Sequence, residues 1–347
     1  MKIFLDVMYD DTKNARKIKS CDYNHEGKYP IIDQSSKNVI GYTDEIDGLY
    51  NDVPVIIFGD HTRRFKLVEE PFFIGADGTK VLKLRSSVYD YKFIYYYLLH
   101  KKIPDTGYNR HFKWVKELEF PEIPRSIQSD IVKKLEVLND LISSKNKLLE
   151  SFDILIKSRF VELFGDVVLN TLNWPLVKLS DIAEYRIGLT YKPDAISSSG
   201  TAVLRSGNIQ NSQLCYEDII YVNSKVEPKL LLKNHDILMC ARNGSQSLVG
   251  KVALIENDIS NTTYGAFMIA ISSKYYVYLF EYFRSQAFRR LISVGSTTTI
   301  NQVTTRMLNS IVIPLPDLET INRFALYHSQ INKLKSDVQK SIEETQL

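Results

Sequence analysis

The longest regular pattern of apolar positions runs from Ser126 to Gly165 and predicts one long helix. Ser126 is expected as its N-cap, and Gly165 suits a left-handed residue after its last turn. At about 1.5 Å per residue the helix would be roughly 55–60 Å long. Its apolar side chains recur at heptad spacing, interrupted only by Lys145 and Arg159: Ile131, Leu135, Leu138, Ile142, Leu149, Phe152, Ile156 and Leu163. A stripe this narrow is typical of a coiled coil, so we expect a spacer that needs a partner helix.

A second seam of the same kind lies between Leu318 and the C-terminus. Its apolar positions are Ile321, Phe324, Ile331, Leu334, Val338 and Ile342. Both helices follow proline-containing segments, at 120–128 and 312–320. The simplest interpretation is an antiparallel pair. The alternative is two ordinary amphipathic helices of one core, but the persistence of the heptad favours the spacer.

The rest of the chain repeats itself, with a first copy over about 1–165 and a second over about 166–347. Matching segments keep their order while their offset drifts, as insertions in surface loops would produce. The matched pairs are 2–7 with 177–182, 27–33 with 200–209, 54–64 with 235–245, 72–84 with 262–271, 91–101 with 276–286, and 106–124 with 295–316. We therefore predict globular domains at 1–125 and 166–316, and spacer helices at 126–165 and 317–347.

Within each copy, strands and helices are both indicated, so the predicted fold class is mixed α/β. Short apolar runs flanked by turn residues predict strands at Val53–Phe58, Val81–Leu84, Asp236–Cys240, Gly250–Ile255, Ala266–Ile271 and Asn309–Ile313. Helical spacing predicts helices at Tyr91–Lys101, capped by Asp90, and at Tyr276–Leu291. Each copy thus reads as a small α/β domain followed by a helical arm.

Composition adds little that is specific. The chain has 347 residues and a formal net charge of +3, which is mildly basic and does not by itself demand nucleic acid. Its three cysteines stand far apart and form no zinc pattern. No signal-peptide segment or membrane span is evident, so we expect a cytoplasmic protein without membrane contact.

Catalytic signatures are missing from the sequence. There is no phosphate-binding GxxxxGK[ST] loop, no GxGxxG and no methyltransferase tetrapeptide. Two Glu-x-Lys triplets, at Glu26 and Glu227, lack the upstream partner of a nuclease motif. Asp60-His61 could be an acid/base pair, although a turn after a strand is the preferred interpretation. We therefore predict neither a catalytic site nor a bound metal.

Polar loops give the more suggestive pattern. Arg pairs bidentately with guanine, and Asn or Gln with adenine, while other cations bind phosphate. The alternative is that these are ordinary solvent-exposed loops, which contain the same residue types. The recurrence of such loops at equivalent places in both copies favours DNA reading. The candidates are His61, Arg63, Arg64, Lys66, Asn109 and Arg110 in the first copy, and Arg205, Asn208, Arg242, Asn243, Gln246, Asn301, Gln302 and Arg306 in the second.

These features together resemble the specificity (S) subunits of type I restriction-modification systems. The resemblance spans essentially the whole chain. It rests on the long helix with its lead-in EIPRSIQSDIV, on SRFVELFGD (158–166), on WPLVKL (174–179), on 294–319 and on FGDHTRRFK (58–66).

The resemblance implies two target-recognition domains that each read half of a bipartite double-stranded DNA target. The helices would set the spacing and dock two methyltransferase (M) subunits, through which restriction (R) subunits join. S-adenosylmethionine, ATP and Mg would act in those partners, leaving this chain without a cofactor. Seam residues expected to carry helix pairing and docking are Leu135, Leu138, Ile142, Leu149, Phe152, Ile156, Ile331 and Val338.

Two departures from the family pattern leave the symmetry of the docking sites open. The first copy is shorter and lacks a counterpart of Trp174, and the final helix is shorter than the central one. Two other hypotheses compete with the S-subunit interpretation. One is a coiled-coil scaffold that binds only protein, and the other is a stand-alone nuclease or methyltransferase.

Overall fold

The chain folds into two units, Met1–Ser144 and Lys145–Leu347. The computed structural model describes residues 1–107, 109–256, 259–294 and 302–346, and of residues 293 and 294 only the backbone. The elements that begin in the first unit are β1 (Lys2–Ile3), α1 (Phe4–Val7), β2 (Met8–Asp10), β3 (Tyr29–Ile32), β4 (Gly41–Thr43), β5 (Val55–Gly59), β6 (Phe65–Val68), β7 (Phe73–Ile74), β8 (Thr79–Leu84), α2 (Tyr91–His100), α3 (Phe112–Lys116), β9 (Glu119–Phe120) and α4 (Arg125–Phe164).

The second unit holds the C-terminal half of α4 and the remaining elements. Its strands are β10 (Leu176–Lys178), β11 (Glu184–Ile187), β12 (Ile196–Ser197), β13 (Thr201–Leu204), β14 (Ile209–Gln210), β15 (Gln213–Leu214), β16 (Ile220–Val222), β17 (Ile237–Cys240), β18 (Val252–Leu254), β19 (Thr262–Tyr264), β20 (Met268–Ser272) and β21 (Val312–Pro314). Its helices are α5 (Tyr276–Arg284), α6 (Gln286–Val294), α7 (Thr305–Ser310) and α8 (Leu318–Gln346).

Both units have the same sheet topology. A four-stranded antiparallel sheet has the order β2-β8-β5-β6 in the first unit and β11-β20-β17-β18 in the second. A second sheet in each unit contains one parallel pair, which is β3 with β7 in the first unit and β13 with β19 in the second. A two-stranded ladder, β1-β9 or β10-β21, completes each unit. Among the described residues of the first unit, β12 and the β14–β15 hairpin have no counterpart, and the hairpin lies where the offset between the copies increases. The predicted repeat of mixed α/β domains is confirmed.

One inner strand of each four-stranded sheet, β5 or β17, is buried on both faces, which explains its unbroken apolar sequence. Alternate side chains of β5 enter two cores: Ile56 and Phe58 pack in the cluster that contains Phe93 of α2, whereas Val55 and Ile57 pack in the cluster that contains Ile32 of β3. The same alternation holds for β17 in the second unit. A run of 4–8 apolar residues is the pattern expected of such a strand.

The predicted central helix is present as α4, with one correction at its start. It begins at Arg125, and the carbonyl of Pro124 accepts the first helical bond from Gln128, so Ser126 lies inside the helix and is not its N-cap. Gly165 follows the last turn with φ +71°, the predicted left-handed conformation. None of the helices in the described part of the chain combines the length and apolar character that crossing a membrane requires.

Within the second unit, α8 packs antiparallel against the C-terminal half of α4. Near one end, the rings of Phe160 and Phe164 lie 5.6 and 5.3 Å from that of Phe324. Further along, Lys335 donates a 2.8 Å hydrogen bond to Asp153. The antiparallel pairing predicted from the two heptads is therefore observed in this unit.

One predicted seam position is wrong: Leu334 of α8 is 47 % exposed. Leu138 is 40 % exposed on the part of α4 that belongs to the first unit, and its docking role stays a prediction. His328 of α8 is buried, but it faces α5: its Nε2 lies 3.5 Å from Glu281. Lys145 does not interrupt the pairing: its ammonium donates to the carbonyl and hydroxyl of Ser341 at 3.1 and 2.7 Å. A lysine at the edge of a seam can thus bind the facing helix.

Two further element predictions require correction, while the capping prediction is confirmed. Asp90 caps α2 by accepting from the amides of Lys92 and Phe93. The single helix predicted for Tyr276–Leu291 is split at Ser285, whose backbone is extended. The strand predicted at Asn309–Ile313 begins only at Val312, after the short helix α7. Periodicity could not distinguish these short apolar runs.

Candidate nucleic-acid interface

In the first unit, the predicted polar loops meet around Gln34, a residue that the sequence did not single out. Its side-chain oxygen accepts from the His61 amide at 3.1 Å, and its amide group donates to the Asp77 carbonyl at 3.0 Å. Its own carbonyl accepts from the hydroxyl of Thr62 at 2.5 Å. Gln34 therefore ties together the loops that follow β3, β5 and β7.

The loop before α3 joins the same cluster. His61 Nδ1 lies 3.2 Å from the carbonyl of Asn109. Arg63 has φ +59° and donates from Nη2 to Asp105 at 2.7 Å. Hydrogen bonding by the Gly107 amide, with the charge of Arg63, lowers the pKa of Asp105. The structure thus brings His61, Arg63 and Asn109 together, and their contact with DNA stays a prediction.

Arg64 and Arg110 are both exposed in this region. Asp77 pairs with Lys17 at 2.7 Å, and that hydrogen bond, together with the charges of Lys17 and Arg110, lowers the pKa of Asp77. The exposed surface is therefore a mixture of guanidinium, imidazole and carboxylate groups. Such a surface offers both donors and acceptors to a ligand.

Lys66 has a different environment from the one that a DNA contact needs. It is 9 % exposed, and its ammonium donates to the carbonyls of Asp33 and Lys37 at 2.6 and 2.5 Å. Burial is the largest influence on its pKa, which is lowered. Its observed role is to anchor the loop after β3, and we leave it out of the proposed DNA-contacting set. Asp60 is likewise buried and accepts from the Phe112 amide at 2.7 Å, as a turn residue does.

In the second unit, Arg205 and Asn208 occupy the loop after β13 and differ in accessibility. Arg205 is exposed and donates to the carbonyl of Asp218 at 2.9 Å. Asn208 is 2 % exposed, and its amide group donates to the carbonyls of Cys215 and Glu217. Asn208 therefore supports the loop from inside, and we leave it out of the contacting set as well.

Three predicted loops converge beside Arg205. Asn243 donates to the hydroxyl of Ser206 at 3.0 Å, which links the loop after β17 to the loop after β13. Arg242 forms an antiparallel bridge with Gln302, which adds the segment before α7. Arg242, Asn243 and Gln302 are thus brought together with Arg205, in the arrangement that the first unit shows around Gln34.

The remaining candidates of the second unit are placed less tightly. Gln246 is exposed on the loop after β17, and Arg306 is exposed on the first turn of α7. Asn301 lies outside the described residues. These positions stay predictions from loop chemistry.

Phe267 is the feature of this region that sequence reasoning missed. It is 58 % exposed, between β19 and β20, and the guanidinium of Arg242 lies 5.4 Å from its ring centroid. The sequence signal was ambiguous, because Phe267 falls in the apolar run Ala266–Ile271 that predicts a buried strand. The glycine before it, Gly265, was the only indication of a turn.

A buried polar cluster joins α5 to the helix pair of the second unit. Glu281 is 3 % exposed and lies 2.5 Å from Arg284 and 3.5 Å from Nε2 of His328. Arg284 also lies 3.7 Å from Asp153 of α4, which pairs with Lys335 of α8. Charged groups therefore fix α5 to both helices.

Within the described ranges, no group of three or more His, Cys, Asp or Glu side chains could hold a metal ion. The loop clusters are instead surfaces of hydrogen-bond donors, acceptors and one exposed aromatic ring. Such a surface is suited to contacting base edges and phosphates.

Comparison with known proteins identifies the family. The family model described as "Type I restriction modification DNA specificity domain" matches residues 172–345, half of the chain. The chain belongs to this family. It is a specificity subunit of a type I restriction-modification system, the non-catalytic subunit that recognises DNA. The resemblance noted from the sequence is confirmed.

Similar proteins with curated descriptions are also specificity subunits of type I restriction enzymes. The type I restriction enzyme MjaVIII specificity subunit of Methanocaldococcus jannaschii is 22 % identical over 350 residues, which cover 88 % of this chain and 80 % of that protein. The StySPI specificity subunit of Salmonella potsdam is 25 % identical over 154 residues, or 42 % of this chain and 33 % of that protein. The first match extends over both units.

Two solved structures share the fold of the specificity subunit. The S subunit from M. genitalium superposes with a TM-score of 0.58 at 16 % identity, covering 99 % of this chain and 92 % of that one. A structure from work on complex assembly and conformational transition of the type I R-M system gives 0.55 at 16 % identity, covering 98 % and 91 %. At this identity the likeness concerns the fold alone, and it confirms the predicted mixed α/β class.

Proposed function

We propose that each unit of this specificity subunit reads one half of a bipartite double-stranded DNA target. The observation that carries the proposal is the repeat: the same sheet topology appears twice, and both copies gather polar loops at the ends of equivalent strands. In the first unit these loops surround Gln34, and in the second they surround Arg242. A protein with two equivalent readers can engage two half-sites at once.

The accessible side chains of the two clusters supply the chemistry. Guanidinium groups can pair with guanine O6 and N7, and amides with adenine N6 and N7. Arg242 is an exposed candidate for base contact in the second unit, and Arg110 in the first. The buried Lys66 and Asn208 would act indirectly, by holding the loops that present those groups.

We further propose that the helices dock two M subunits, with R subunits joining through M. S-adenosylmethionine, ATP and Mg would be bound by those partners. On α4, Leu148 and Leu155 are 42 % and 45 % exposed and seven residues apart, so they lie on one face, beside the seam that contacts α8. Exposed apolar residues at helical spacing suit an interface with another subunit.

Single-molecule methylome sequencing tests the reading proposal. The resemblance to S subunits implies that M methylates adenine at N6. A host expressing this chain with its M subunit is therefore expected to gain a new N6-methyladenine motif, two short half-sites around a fixed gap. A continuous motif would contradict bipartite reading. If the motif is missing although gel filtration shows a complex with M, the scaffold hypothesis is favoured. Mg-dependent cleavage or methylation by the purified chain alone would favour the stand-alone enzyme.

A pair of neighbouring substitutions tests the docking surface. Leu149 is half-buried and lies one turn from both Lys145 and Asp153, which bond α8, whereas Leu148 is exposed. L149D is expected to destabilise the helix pair, because it buries a charge without a partner. L148D should leave the unfolding temperature nearly unchanged but reduce co-elution with M in gel filtration. Normal M binding by L148D would rule out this face as the docking surface.

A further inference from the structure

The backbone at Phe267 is hydrogen-bonded to neighbouring loops, while the Phe267 side chain faces solvent. The amides of Ala241 and Arg242 donate to its carbonyl at 2.9 and 3.0 Å. On either side, the amide of Gly265 donates to the carbonyl of Leu204, and the amide of Met268 donates to the carbonyl of Gly265, both at 2.9 Å. The loop that carries the ring is thus bonded to the loops after β13 and β17. An aromatic side chain on a fixed backbone has only two side-chain torsions to restrict on binding, so its entropy cost is low.

The surroundings of Phe267 indicate which DNA feature it can contact. The guanidinium of Arg242 lies 5.4 Å from its ring centroid, and Arg242 is bridged to Gln302. Side chains of this type read base edges in the major groove. The apolar group that the major groove displays is the C5-methyl of thymine. Insertion of the ring between base pairs is disfavoured, because Arg242 lies over the ring.

We propose that Phe267 is a specificity-determining residue that contacts the C5-methyl group of one thymine in the half-site read by the second unit. This inference rests on the proposed DNA reading. Arg242, whose guanidinium lies over the ring, would then be placed to bond the edge of a neighbouring base. An adenine in the half-site supplies a thymine on the opposite strand, so a target methylated at adenine contains the required group.

The first unit carries different chemistry at the corresponding place. Between β7 and β8 it has Asp77, whose carboxylate is exposed and paired with Lys17. A carboxylate can accept from cytosine N4 but gains nothing from a methyl group. The methyl contact is therefore expected in only one of the two half-sites, which provides an internal control.

Deoxyuridine substitution tests the contact, because it removes only the C5-methyl group of thymine. The experiment uses the purified complex of the chain with its M subunit and a fluorescent duplex that contains the target found by methylome sequencing. Each thymine of the second unit's half-site is replaced in turn. At one position the wild-type complex should bind about fourfold more weakly, as expected for losing one buried methyl or methylene group. Phe267→Ala should bind the thymine and deoxyuridine duplexes equally well.

Controls separate this inference from the function on which it rests. Val312→Ala, which shortens another exposed apolar side chain of the unit, should discriminate as the wild type does. Phe267→Leu, which keeps an apolar side chain, should retain part of the discrimination. Indifference of the wild-type complex to every substitution in that half-site would overturn the inference alone, as would persistent discrimination by Phe267→Ala. A complex that binds no specific duplex would contradict the proposed function itself.

Discussion

Arg242 is the residue on which base reading by the second unit is best tested. Its side chain is exposed, its guanidinium lies over the Phe267 ring, and its backbone forms a bridge with Gln302. The protein therefore positions this residue before DNA arrives. We expect R242A to weaken binding of one half-site by about 1–3 kcal/mol and to relax its sequence preference. Methylome sequencing and duplex titration with the M complex measure both effects. Arg290→Ala, at an exposed position on α6, serves as the charge control. Equal losses in both half-sites would contradict a base contact.

Asn208 should behave as a structural residue, in contrast to Arg242. Its side chain makes three hydrogen bonds: it accepts from the Arg205 amide and donates to two carbonyls. N208A leaves these buried groups without partners, so we expect a loss of about 1–3 kcal/mol in the free energy of unfolding. Chemical denaturation measures this loss, and the exposed Gln210→Ala is the matched control. A stable N208A protein with altered target sequence would instead place Asn208 at the bases.

At the scale of elements, the attachment of α5 to the helix pair depends on one buried carboxylate. Glu281 accepts from Arg284 and faces His328 of α8. E281A removes the partner of buried cationic and polar groups, and we expect it to cost about 3–5 kcal/mol of unfolding free energy. Thermal and denaturant unfolding of the purified chain measure the effect. E227A, which breaks an exposed ion pair with Lys229, should cost less than about 1 kcal/mol. Similar values for both variants would contradict the structural role of the cluster.

The sequence predicted elements well where a long pattern or a special backbone conformation constrained them. The long helix, its end at Gly165 and the Asp90 cap belong to this group. Short apolar runs were less informative, since Ala266–Ile271 reads as a buried strand although Phe267 points to solvent. The seam was found from its heptad, but the pattern could not show that Lys145 bonds Ser341 of α8 or that His328 is buried against α5. Polar groups are buried at these places only through partners on other elements, which the pattern of a single helix does not contain.

At the scale of the whole molecule, the repeat was the most informative property of the sequence. Six pairs of matched segments predicted two domains of one fold, and the two sheet topologies agree with that prediction. The predicted loops also cluster within each unit. The division between contacting and supporting residues was not predictable, because Lys66 and Asn208 have the same chemistry as surface residues. Burial separates them, and burial depends on how the loops pack.

The length of α4 provides the last test, because a rigid helix between two readers should set the gap between half-sites. The last turn of α8 reaches Lys145, where Thr345 accepts a 3.1 Å bond, so an insertion after Ser144 leaves the contacts of α4 with α8 in place. Duplicating residues 138–144 adds one heptad, about 10.5 Å of helix, and keeps the helix faces nearly aligned. At about 3.4 Å per base pair, we expect the gap to grow by roughly three base pairs while both half-sites stay unchanged.

Methylome sequencing of the duplicated variant measures the gap directly. A seven-residue insertion between Ser198 and Ser199, in an exposed loop of the second unit, controls for chain length and should leave the gap as it is. Five added residues would rotate the helix faces by about 140° and should abolish methylation instead of resetting the gap. An unchanged gap in the heptad variant would show that α4 does not determine the spacing. The two polar clusters could then still read DNA, but the distance between half-sites would have to be set by other parts of the complex.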